Sequence, residues 1–67
     1  MPEVIVHSIE GPSREQMKAL CKSITEAVVK DFGAPAEAVT VTIVTSPRDM
    51  KAKGGVLYSE LMGPAPK

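Results

Sequence analysis

Sixty-seven residues with eight Lys+Arg against eight Asp+Glu, one cysteine and one histidine leave few routes to a stable fold. A chain shorter than roughly 70–80 residues seldom buries enough core alone and usually recruits disulfides, a metal or partner subunits. A lone Cys21 excludes an internal disulfide, and His7 beside it gives no metal-ligand cluster of recognisable spacing, so oligomerisation remains. Balanced charge removes any global attraction to nucleic acid or to an anionic membrane. Phe32 and Tyr58 alone make no base-stacking platform. No apolar run approaches the about 20 residues of a spanning helix, and the start lacks the regions of a signal peptide. A soluble protein is expected, and the free thiol fits a reducing cytoplasm.

The segment Met1–Gly11 reads as a strand that opens on Pro2 and closes at a glycine. Val4 and Val6 point one way while Ile5, His7 and Ile9 point the other, and since both faces are partly apolar, both are expected to be covered. Proline donates nothing to a strand ladder, so the first residue of a strand is a place it is tolerated. The same residue has chemical potential. If Met1 is removed, the ring nitrogen of Pro2 changes from a non-basic amide to a secondary amine.

After a turn at Glu10-Gly11-Pro12, Ser13 with Gln16 three residues on forms a capping-box pattern. Met17, Leu20, Cys21, Ile24, Val28 and Phe32 follow at helical spacing as one buried stripe, and Gly33 with Pro35 marks the stop. Cys21 is expected to act there as a small packed hydrophobe and His7 as a structural strand residue. A short connection, Ala34–Ala38, leads to Val39–Thr45, whose β-branched alternation is a second strand with Val39, Val41 and Ile43 on one face. Strand, helix and strand make a β-α-β unit with parallel strands. One helix covers one face of such a sheet, so the fold is incomplete in a single chain. Residues 46–55 read as a cationic loop ending in a tight Gly54-Gly55 turn. Val56–Met62 reads as a short strand or turn, and residues 63–67 as a loose tail of a single domain spanning 1–67.

The ordered pattern resembles the 4-oxalocrotonate tautomerase family: Met-Pro, a strand ending Ile9-Glu10-Gly11, Ser13-Arg14-Glu15-Gln16 opening the helix, Ile24–Val28, Ala34-Pro35, the valine-rich second strand and Gly54-Gly55. The resemblance implies an α+β fold in which β-α-β subunits pair into a four-stranded sheet with two helices on one face. Three such pairs commonly form a hexamer, so a homo-oligomer is expected, with a hexamer favoured. It further implies an isomerase in which Pro2, once Met1 is removed, is the catalytic base moving a proton between carbons of a small enol or unsaturated keto acid, and no cofactor or metal is expected.

The chain departs from the family at the substrate grip. Diacid-processing members carry arginine where this chain has Pro12 and Thr40, and an aromatic where it has Lys51. Arg14, Arg48 and Lys51, with Lys53 behind them, are the candidates to bind a substrate carboxylate instead, and at least one of the first three is expected beside Pro2, often from a neighbouring subunit. Two other readings share the scaffold. Pro2 could serve as a general acid in a dehalogenase, hydratase or decarboxylase, or the chain could be a non-catalytic assembly subunit.

Overall fold

Valine, isoleucine and threonine dominate the two segments that become the main strands, β1 (Glu3–Ile9) and β2 (Thr40–Ser46), of the computed structural model, which describes residues 1–63. Branching at Cβ narrows χ1 and favours extended backbone. The strands pair in parallel, with Val4 opposite Val41, Val6 opposite Ile43 and His7 opposite Val44. Parallel neighbours need a crossover, here the helix α1 (Arg14–Phe32). The expected β-α-β unit is present.

The signals at both ends of α1 act as their residue types dictate. Ser13 Oγ accepts the Gln16 backbone N–H at 3.1 Å, and Gln16 Oε1 accepts the Ser13 backbone N–H at 2.8 Å. A cap of this kind contributes about 1 kcal/mol. At the other end Gly33, at φ 73°, donates its N–H to the Val29 carbonyl at 3.1 Å. Only glycine takes that conformation without strain.

Met17, Cys21, Ile24 and Val28 are half-buried, as their spacing predicts. Leu20 and Phe32 depart from the expected stripe, at 42% and 80% exposure. Phe32 has a geometric reason. A helix of 19 residues runs about 28 Å, whereas strands of seven run about 23 Å, so the last turn of α1 overhangs the sheet.

One sheet face, with Val4, Val6, Val41 and Ile43 half-buried, lies under α1. On the other face Ile5 is 55% and Val44 40% exposed. The sequence predicts that both faces are covered, but one helix reaches only one of them, and the second stays open in the single chain. Among the described residues none is buried, so those of a single chain form no dry core. The outer edges of β1 and β2 also pair with no other strand among those residues.

The connection after α1 holds a 3-10 turn at Ala36–Ala38. Beyond β2 the chain is more ordered than a cationic loop. A 3-10 turn at Arg48–Met50 leads into a hairpin of β3 (Ala52–Lys53) and β4 (Val56–Leu57). Gly54 and Gly55, at φ 61° and 84°, form its two-residue turn, the use expected for the pair. Only the start of Val56–Met62 is a strand, because Tyr58–Met62 winds into a short helix, α2. Ser59-Glu60-Leu61-Met62 has no β-branched residue to hold it extended. The tail expected over 63–67 lies, apart from Gly63, outside the described residues. Among those described, no helix is long and apolar enough to cross a membrane, and no three His, Cys, Asp or Glu gather as metal ligands.

Candidate active site

Pro2 stands one residue ahead of β1, half-buried, with its carbonyl accepting the Thr40 N–H at 3.1 Å. The hydrogen bond ties the residue to the start of β2, and the ring fixes the direction of the nitrogen. Met1 is 97% exposed, so its removal costs the fold no packing. Thr40, the hydrogen-bonded partner of Pro2, is uncharged.

The candidate cations lie elsewhere. Arg14 opens α1 just after the carboxyl end of β1, and Arg48 and Lys51 follow the carboxyl end of β2. With β1 and β2 in register from Glu3–Thr40 to Ile9–Ser46, that end is about 20 Å from Pro2. Arg14 is highly exposed, with only a 3.9 Å approach to the neighbouring Glu15 carboxylate, and a surface pair of this kind holds little. Arg48 is half-buried, and its Nη1 donates to the carbonyls of Met62 and Gly63 at 3.4 and 3.1 Å. Lys51 is half-buried, and its carbonyl accepts the Tyr58 N–H at 2.8 Å. A single chain thus keeps Pro2 at one end of the sheet and all three cations at the other.

An open apolar cleft of about 290 Å³ runs between the first half of α1 and the strands, walled by Val6, Met17, Leu20 and Ile43 with Ser8 and Gln16 as polar members. Neither Pro2 nor a candidate cation lines it.

A family model described as a tautomerase enzyme matches residues 2–60, from Pro2 through the β-α-β unit and the hairpin. The chain belongs to the tautomerase family. This tautomerase is 39% identical, over the full length of both chains, to a probable tautomerase of Bradyrhizobium diazoefficiens. It is 43% identical over 60 residues to one of Lactiplantibacillus plantarum, covering 90% of this chain and 94% of the relative. A solved 4-oxalocrotonate tautomerase homologue superposes with a TM-score of 0.85 at 35% identity, covering 90% of this chain and 95% of its own. A 4-oxalocrotonate tautomerase from Chloroflexus aurantiacus J-10-fl, described as a heterohexamer, superposes at 0.84 with 28% identity, covering 91% and 98%.

One polar group of the tautomerase escapes sequence reasoning. Glu10 reaches across the end of the sheet, and its carboxylate accepts the Arg48 backbone N–H at 2.9 Å. The Glu-Gly-Pro turn signal places Glu10 correctly but says nothing of a partner 38 residues on.

Proposed function

We propose that the protein, once Met1 is removed, is a cytoplasmic isomerase that moves a proton between carbons of a small enol or unsaturated keto acid, with Pro2 as general base. The observation that carries this reading is the placement of Pro2. The family match begins at that residue, which is half-buried and tied by its carbonyl to β2, behind a Met1 that contributes no packing. A free α-amine has a pKa of about 7.7–8.0 in model peptides. In the assembly proposed below, apolar neighbours and a cation from another subunit would disfavour the protonated form, leaving a base that works near neutral pH. Loss of enol absorbance on adding protein that starts at Pro2 tests the reading directly.

The working form is a homo-oligomer, with a hexamer favoured. Support comes from the open sheet face, the two unpaired strand edges and the hexameric assembly of the Chloroflexus relative. Assembly also answers the separation of charges, because at least one of Arg14, Arg48 and Lys51 of a neighbouring subunit faces Pro2 and binds the substrate carboxylate. A hydrogen bond to a charged group contributes about 1.5–3 kcal/mol, or roughly 10- to 150-fold in binding. Arg14→Gln, Arg48→Gln and Lys51→Gln, measured separately against an anionic enol acid, should include at least one with kcat/KM reduced on that scale. Wild-type kinetics in all three would place carboxylate binding elsewhere.

A further inference from the structure

Among the described residues, the side-chain hydrogen bonds that join segments more than four residues apart all involve Arg48. Its backbone N–H goes to Glu10 Oε2, in the turn after β1. Its Nη1 reaches the Met62 and Gly63 carbonyls at the end of α2. Its Nη2 lies against the Gly11 backbone, 3.7 Å from where a Cβ would stand. We infer that Arg48 is a positioning residue, a clamp that holds α2 and the β3–β4 hairpin against the β1–α1 turn, and that it is not the cation that binds substrate.

The chemistry of the partners supports a clamp. The last carbonyls of a helical turn have no partner within the turn and carry partial negative charge. A guanidinium is permanently charged and presents several donors in a rigid fork, so it can bridge successive carbonyls. Gly63 sits at φ 80°, a region L side chains avoid, which lets the chain turn so that its carbonyl and that of Met62 meet one nitrogen. Glu10 completes the arrangement by fixing the backbone from which the side chain springs. The segment held this way includes Lys51, through its bond with Tyr58 at the start of α2. Arg48 therefore acts on the proposed site through Lys51 and the hairpin, and among the three candidate cations the task of meeting substrate falls to Arg14 or Lys51.

The catalytic half of this inference rests on the tautomerase reading, whereas the clamp itself does not. Amide hydrogen exchange of the full chain separates them. Arg48→Ala should speed exchange at Tyr58–Met62 by about tenfold or more while the middle of α1 stays protected. Arg48→Lys should fail to restore full protection, because its shorter side chain ends before the position of Nη1 and puts nothing at that of Nη2. Gly63→Ala, which leaves Arg48 in place but disfavours the turn that presents the carbonyls, should loosen the same amides and serves if Arg48→Ala does not fold. In processed protein Arg48→Ala should lower kcat by a similar factor for an anionic enol acid and a neutral enol, with KM for the anion little changed. Unaltered exchange in Arg48→Ala and Gly63→Ala overturns the clamp. A KM increase confined to the anionic substrate makes Arg48 the substrate ligand. An inactive processed wild type removes the tautomerase reading and leaves the exchange result to decide the clamp.

Discussion

Protein beginning at Pro2 should ketonise a small enol acid such as phenylenolpyruvate, and the same protein with Met1 retained should lose nearly all of that activity. The two forms differ in one bond. With Met1 attached, the Pro2 nitrogen is an amide whose lone pair is delocalised into the carbonyl, and it has no basicity to offer. Met1 itself is 97% exposed in the single chain, so retaining it leaves the β-α-β unit unchanged, and matching sedimentation of the two forms separates loss of the base from disturbed assembly. A positioned general base typically contributes about 10²–10⁴-fold, and retention of Met1 should cost a loss in that range. Pro2→Ala, also processed, keeps a primary amine at the same strand end. It should fall by less, because the base survives while its fixed direction is lost. The rate of the processed form should follow a single ionisation. Intact mass confirms which form is assayed, and equal activity in the two forms removes Pro2 from the role of base.

Ile5→Asp should abolish assembly and with it the folded state. Ile5 is 55% exposed on the open face of the sheet, on the same side as His7 and close to Thr42 and Val44. Burying that face against another subunit would strand an unpaired carboxylate in apolar surroundings, at an effective cost of several kcal/mol per ion. Symmetry adds like charges at each repeated contact. Because none of the described residues is buried in one chain, little stability remains once the contact is lost. Sedimentation at micromolar concentration should show small species with weakened far-ultraviolet dichroism. A charge reversal on the solvent side of α1, Lys22→Asp, should sediment like wild type. A wild type that is itself a stable folded monomer, or an Ile5→Asp variant that assembles normally, would contradict this picture.

The parts of the fold legible in the sequence are those set by neighbours along the chain. Ser13 and Gln16 announce the start of α1, Gly33 announces its end, and β-branched alternation marks β1 and β2, because each signal is a local conformational preference. Phe32 shows the limit of periodicity, which gives the side of a helix but not where the sheet beneath it ends. Tyr58–Met62 shows another limit, since a short apolar run without branching is compatible with either helix or strand. Within the candidate site, Pro2 is legible from its place at a strand start. The partners of Arg48 are not, since contacts with Glu10 and Gly63 join distant segments and leave no local pattern. The sequence marks Arg14, Arg48 and Lys51 only as charges near glycine-rich turns. Parallel pairing then carries all three to the end of the sheet opposite Pro2.

That opposition gives the assembly a genetic character. If Pro2 is the proton-moving nitrogen and a cation at the far end of the sheet meets substrate, as proposed, each working pocket would be composed by two different copies. On that reading a chain that retains Met1 and a chain lacking the essential cation would each be impaired as pure populations, yet mixed in one particle they would compose an intact pocket wherever the sound end of one meets the sound end of the other. A single chain carrying both defects can lend nothing to its neighbours, so damage to this protein is counted by pocket and not by polypeptide.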